Sequence, residues 1–98
     1  MKQFHAYRLR QFSDALVLVL QSEFLDHGQM IVAPLESVGR LKPQLRINPE
    51  IRLQSEGYLV MLDHMTSIPR QEIGEEIASA NAHRDAIKRG IDTLFDGF

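Results

Sequence analysis

The sequence predicts an α+β fold in which a small curled β-barrel of short antiparallel strands is followed by one C-terminal α-helix. Three observations carry this reading. Up to about residue 73 the apolar residues come in short runs or in alternation, each run stopped by Gly, Pro or paired polar residues, the pattern of strands and tight turns. Around and beyond Gly74 the residues Ile77, Ala80, Ile87, Ile91, Leu94 and Phe95 recur at helical spacing with polar residues between them. The chain has 98 residues, 44% hydrophobic and 24% charged, which suits one folded unit, so residues 1–98 are read as a single domain. Strands this short and numerous curl more readily into a barrel than they spread into an open sheet.

Taken in order, Phe4 and Ala6 alternate with His5, Tyr7 and Leu9, a period of two that predicts a first strand over 2–10. A polar turn at Ser13-Asp14 follows. The unbroken run from Ala15 to Leu20 is rich in β-favouring residues and predicts a central strand over 15–21, buried on both faces. The loop Asp26-His27-Gly28-Gln29 ends it. Met30 to Ala33 form a third strand, expected to stop at Pro34 because proline has no amide proton to donate to a ladder. From Glu36 to Pro49 the pattern is broken by Gly39, Pro43 and Pro49 and reads as an irregular crossover. Ile51 and Leu53, then Ser55-Glu56-Gly57, then Tyr58 to Leu62 predict a β-hairpin with a short Gly-containing loop. Met65 to Pro69, followed by Glu72-Ile73, predict one more short, interrupted strand. The helix is placed over 82–96, with Asn81 as its N-cap and Gly97 at its C-terminal stop.

Composition narrows the function before any motif does. Without cysteine there is neither a disulfide nor a thiolate, which fits a reducing compartment, and the cytoplasm is the expected location. The charged N-terminal dozen residues lack the apolar stretch of a signal peptide. The apolar run over 15–20 falls far short of the ~20 residues that a membrane-spanning helix needs. A formal charge of −2 argues against direct contact with nucleic acid, which calls for clustered Lys and Arg. The four histidines, His5, His27, His64 and His83, show no metal-ligand or triad spacing. No HExxH, GxSxG or phosphate-cradling glycine loop is present, so no metal, cofactor or catalytic residue is expected and the chain is read as a binding protein, not an enzyme. Glu75 and Glu76 read as solvent-facing carboxylates before the helix, and Lys88 and Arg89 as cations that offset its C-terminal dipole.

Two places look built for contact. Phe24 and Leu25 lie between Glu23 and Asp26 after the central strand, either folded inward or offered to a partner. The chain ends Leu94-Phe95-Asp96-Gly97-Phe98, and exposed aromatics bury much apolar area at interfaces at small entropic cost. Phe95 continues the stripe of Ile87, Ile91 and Leu94 and is expected to be buried with it. Phe98 either packs back on the barrel or serves as a contact.

Several segments in order resemble the CcdB-type toxins of bacterial toxin–antitoxin modules. They are Gln3-Phe4, Val19-Leu20-Gln21-Ser22 with Asp26, Val32-Ala33-Pro34-Leu35, Met65 to Pro69, Ile73-Gly74-Glu75-Glu76, then His83-Arg84, Ala86-Ile87-Lys88, Ile91, Leu94-Phe95 and Gly97. The resemblance runs almost end to end. It implies an SH3-like barrel with a C-terminal helix, assembled as a homodimer with the helix ends close together. It also implies a toxin that binds the A subunit of DNA gyrase and traps the cleaved-DNA complex, with no catalytic residue of its own. The partners it implies are a CcdA-like antitoxin that folds a disordered segment onto the dimer, and operator DNA reached only through that antitoxin; no membrane is involved.

Carried over by position, the target-binding residues are Phe24, Leu25, Asp92, Phe95, Asp96, Gly97 and Phe98. The family's Trp-Gly-Ile tail falls on Asp96, Gly97 and Phe98, so only the Gly is kept. An Asp in place of a stacking Trp removes an aromatic surface of the kind worth ~2 kcal/mol or more at a hot spot. Three explanations stand open: a gyrase with a basic residue facing Asp96, a shifted anchor at Phe98, or another target. A ribonuclease would need a convergent acid–base set, for which Arg70 with Glu72 or His64 with Asp63 are the candidates.

Overall fold

The computed structural model describes residues 1–25, 28–39 and 47–97, the side chain of Phe24 excepted. Among these residues the strands are β1 (His5–Leu9), β2 (Leu16–Val19), β3 (Gln29–Ser37), β4 (Glu50–Leu53), β5 (Glu56–Val60), β6 (Thr66–Pro69) and β7 (Ile73–Ser79), followed by the helix α1 (Arg84–Asp96). They form one curled antiparallel sheet in the order β4-β5-β3-β2-β1-β7, with β6 paired to β3. The expected α+β architecture, a small barrel-like sheet with a terminal helix, is what the chain adopts.

Alternation along β2 explains why its run is unbroken. Leu16 and Leu18 turn to an inner core that gathers Phe4, Ala33, Leu35, Ile51, Val60, Leu62 and, from α1, Ile87. Val17 and Val19 turn the other way, to a second cluster with Tyr7, Met30, Val32 and Ile73. Each side chain taken from water in this way contributes roughly 1.5–3 kcal/mol, so a strand buried on both faces fixes the register of its neighbours.

Strand β3 does not stop at Pro34. It spans nine residues and changes partner on one edge, pairing with β6 over Gln29–Val32 and with β5 over Leu35–Ser37. Pro34 falls in the gap. Its carbonyl accepts from the Met61 N–H at 2.9 Å on that same edge, so the missing proline N–H also points there and the pairing with β2 opposite Val17 loses nothing.

The β4–β5 hairpin is present, but its turn is Gln54-Ser55 and not the Gly-containing triplet. Both residues take positive φ, 51° and 71°, as a two-residue turn of mirror-image type requires. Gly57 lies within β5, paired to Arg52. Crossover residues 40–46 lie outside the described residues, and β3 continues to Ser37, inside the stretch expected to be irregular.

The largest difference is β7. Ile73 is expected at the end of a short strand and Ile77 and Ala80 at helical spacing beyond it, yet Ile73–Ser79 is one strand on β1, with His5 opposite Ser79, Ala6 opposite Ala78 and Tyr7 opposite Glu76. Two register shifts interrupt the ladder, and there Gly74 comes so close to β1 that a Cβ would sit 3.1 Å from the Arg8 carbonyl oxygen. Because a backbone atom cannot swing aside, Gly74→Ala is expected to destabilise the fold by about 1–3 kcal/mol, read as a lower urea midpoint at unchanged slope.

The helix begins later than expected. A 3₁₀ turn, Asn81–His83, precedes α1, and Asn81 makes no N-cap bond. Its side chain reaches Ser79 Oγ and His5 Nε2 instead, both at 3.2 Å. The stop is as expected: Gly97 takes φ 78° and its N–H closes on the Thr93 carbonyl, a left-handed C-cap that suits glycine.

Candidate functional site

The turn after β2 is set by a buried amide. Gln21 is 8% exposed, and its Nε2 donates to the Leu25 carbonyl at 2.6 Å while its Oε1 accepts the Ile31 N–H at 3.2 Å. These bonds tie the 3₁₀ turn Glu23–Leu25 to β3 by its backbone and leave the Leu25 side chain 63% exposed. Leu25 is thus turned outward in the isolated chain and not folded inward. The side chain of Phe24 lies outside the described residues.

At the far end of the chain, Ile87 is fully buried and Ile91 and Leu94 pack against the inner core. Phe95 does not join them. It is 69% exposed, because residues four and seven beyond Ile87 return to the same helix face, whereas the eighth is turned away by about a quarter-turn. The expectation of a buried Phe95 is corrected accordingly. Asp92 and Asp96, one turn apart, are exposed beside it, and the last turn holds no basic residue. Carboxylates at a helix C-terminus oppose the macrodipole by roughly 0.3–1 kcal/mol each, so this pair does not serve the helix itself. Phe98 lies outside the described residues.

The pairs considered for acid–base chemistry are not assembled into a site. His64 Nε2 stands 3.7 Å from Asp63, but its side chain is 62% exposed, and the Asp63 carboxylate accepts from Asn48 Nδ2 at 2.8 Å. Asn48 is buried, so Asp63 anchors the entry to β4. Arg70 and Glu72 bracket the 3₁₀ turn between β6 and β7.

A convergent polar set lies elsewhere. The β1–β7 pairing brings Glu76 opposite Tyr7 and against His5. Glu76 Oε1 accepts the Tyr7 hydroxyl at 3.2 Å and lies 3.4 Å from His5 Nδ1. The Tyr7 oxygen in turn accepts the Lys2 N–H at 2.9 Å. Glu76 is exposed, as expected of a solvent-facing carboxylate, but it stands in β7 and one of its oxygens is engaged by Tyr7. The alternation of β1 puts His5 and Tyr7 close together in the sequence; their acidic partner stays hidden as long as β7 is not read as a strand. His83 also serves structure, its Nε2 accepting the N–H of Arg52 on edge strand β4 at 3.3 Å.

Burial is the largest cause of a Tyr7 hydroxyl held above its ordinary 10.0; the Lys2 hydrogen bond opposes it and the Glu76 charge adds to it. A raised folded-state value contributes stability that is fully present below the unfolded value and is lost as pH rises through the folded one. The urea midpoint is thus expected to fall once pH passes about 10, and to fall less steeply in Tyr7→Phe. An equal slope in both proteins would remove Tyr7 as a source.

A family model described as CcdB protein matches residues 3–97. Among solved structures, the chain is similar to the Mycobacterium tuberculosis toxin MazF-mt6, at 20% identity over 97% of each chain with a TM-score of 0.74. It is similar to an endoribonuclease from Mycobacterial species at 16% identity, covering 95% of this chain and 88% of that one with a TM-score of 0.72. It also matches a MazE-MazF structure from Deinococcus radiodurans at 22% identity, 96% and 94% coverage and a TM-score of 0.68. Likeness at these identities shows the fold. It overturns the expectation that the chain is not an enzyme, because a barrel of this kind carries an endoribonuclease and missing HExxH or GxSxG motifs therefore exclude nothing. With its match spanning all but the outermost residues, the chain belongs to the CcdB protein family.

Proposed function

We propose that this toxin docks the C-terminal end of α1 onto a protein target, the A subunit of DNA gyrase, and traps the cleaved-DNA complex. The observation that carries the reading is the exposed Phe95 between Asp92 and Asp96, an aromatic anchor flanked by carboxylates that do nothing for their own helix. The complementary surface is an apolar pocket rimmed by Lys or Arg, so a basic residue on the target replaces stacking at the position of Asp96. Leu25 adds a second apolar contact. The family match supports gyrase as the target, and a homodimer brings two such helix ends together. Likeness to the MazE-MazF structure supports an antitoxin partner, here a CcdA-like chain that also supplies the contacts to operator DNA. Among the described residues no helix is long and apolar enough to cross a membrane, and a cytoplasmic site of action follows from the target.

The test is a supercoiling and cleavage assay with the host's own gyrase, using the purified protein and a variant lacking residues 96–98. Inhibition with trapped cleavage that disappears with the tail supports the reading. Growth arrest in cells without any effect on gyrase overturns it.

A second reading, RNA cleavage, is favoured by the fold shared with an endoribonuclease and by the placing of His5 against Glu76. It requires that the purified toxin cut RNA and that His5→Ala abolish the cutting while the protein stays folded.

A further inference from the structure

We propose that the pocket between the N-terminal turn and the start of α1 binds a single phosphate group. This cavity, of about 300 Å³, is lined by Lys2, His5, Ser22, Glu23, Asn81 and Arg84 among others, and lies apart from the exposed end of α1. It holds two cations that are not ion-paired: among the described residues no carboxylate lies within ion-pair distance of Lys2 or Arg84. Isolated surface cations are ordinarily left to solvent. These two share a concavity, where the Arg84 side chain and the Lys2 backbone are held in place.

Arg84 stacks over the Phe4 ring, 5.1 Å from its centre, which restricts the guanidinium. The Lys2 backbone is tied to the Tyr7 hydroxyl. Between them His5, with a side chain only 12% exposed, stands against Glu76 at 3.4 Å on one ring nitrogen and against Asn81 at 3.2 Å on the other. Asn81 in turn is held by Ser79 at 3.2 Å. The network from Lys2 through Tyr7, Glu76 and His5 to Asn81 thus links β1, β7 and the turn that leads into Arg84, and brings the two cationic residues to one pocket. Two cations facing a partly enclosed space, one of them restricted by stacking, are chemistry that suits a compact dianion. Glu76 is not part of the lining. Glu23 is the one carboxylate on it among the described residues, exposed and not within ion-pair distance of either cation.

The experiment is an NMR titration of the full chain at constant ionic strength, following the His5 ring and the Arg84 side chain. The probes are inorganic phosphate and a short oligoribonucleotide carrying a 5′-phosphate, with chloride as control. Saturable shifts with inorganic phosphate support a site for the isolated group. Saturation by the oligonucleotide alone supports a site for phosphate borne on a nucleic acid. In either case Lys2→Gln and Arg84→Gln each weaken binding about tenfold or more. Lys2 is exposed, so its variant keeps the test valid if loss of the Arg84 stack disturbs folding. Shifts that match those in chloride, or affinity unchanged in both variants, overturn the proposal. Neither outcome depends on what happens with gyrase.

Discussion

Replacing Phe4 by alanine is expected to cost about 3–5 kcal/mol of stability, a large share of the 5–15 kcal/mol typical of a domain. Its ring is 1% exposed and lies in the inner core with Leu18, Leu62 and Ile87, under the Arg84 guanidinium. The same residue holds a backbone conformation that bulky side chains avoid, with φ at 61°. It is kept there by two hydrogen bonds of 2.7 Å, its N–H to the Val19 carbonyl and its carbonyl from the Ala80 N–H, which join the N-terminal turn to β2 and to the end of β7. Local strain of roughly 1–3 kcal/mol persists only where the surroundings impose it. A second variant separates the two contributions. Glycine ordinarily destabilises by about 0.5–1 kcal/mol relative to alanine, but at positive φ that order reverses, so Phe4→Gly is expected to be at least as stable as Phe4→Ala in urea unfolding. A glycine variant clearly weaker than the alanine variant would show that position 4 is not strained.

What can be read from the sequence divides along the line between local and non-local causes. β2 is legible because an unbroken run of β-favouring residues has few other uses in a short chain, and the end of α1 is legible because Gly97 marks a left-handed cap. The course of β3 through Pro34 is not, since whether a missing N–H matters depends on which edge it faces, and that is decided by where β6 gives way to β5. β7 escapes for a related reason. Ile77 and Ala80 continue at helical spacing into the residues of α1, and pairing with β1, which no local pattern announces, makes Ile73–Ser79 one strand. The turn at Gln54-Ser55 carries none of the residues that usually mark positive φ, so the hairpin is visible in the sequence while the place of its turn is not.

The candidate site shows the same division. Leu25 and the end of α1 stand out as apolar residues in polar surroundings, a property of the sequence itself. Exposure of Phe95 is not visible there, because it continues the apolar stripe and only the helix angle shows that it leaves the core-facing side. The set formed by Tyr7, Glu76 and His5 spans residues about 70 positions apart and exists only through the β1–β7 register. Its presence also bears on catalysis, since motif searches detect short-range spacings and are blind to groups that a sheet brings together.

Phe95→Ala is expected to leave the fold within about 0.5 kcal/mol of the parent, as exposed substitutions usually do, while weakening target binding by about 2 kcal/mol or more, roughly 30-fold. The two readouts, urea unfolding and inhibition of the host's gyrase, should therefore separate completely. Were Phe95 instead part of the core, stability would fall with activity. The flanking carboxylates give an independent check on the chemistry of the partner. Asp96→Lys places a cation at the helix C-terminus, where the macrodipole favours it by a few tenths of a kcal/mol, so the helix is expected to gain slightly. A basic rim on the target would repel the same change, and inhibition should fall steeply, more so at low ionic strength where exposed charges are least screened. A stabilised protein that has lost its target is an outcome that damage to the fold cannot mimic. If Asp96→Lys inhibits as well as the parent, the acidic pair plays no part in recognition and the contact rests on Phe95 and its apolar neighbours.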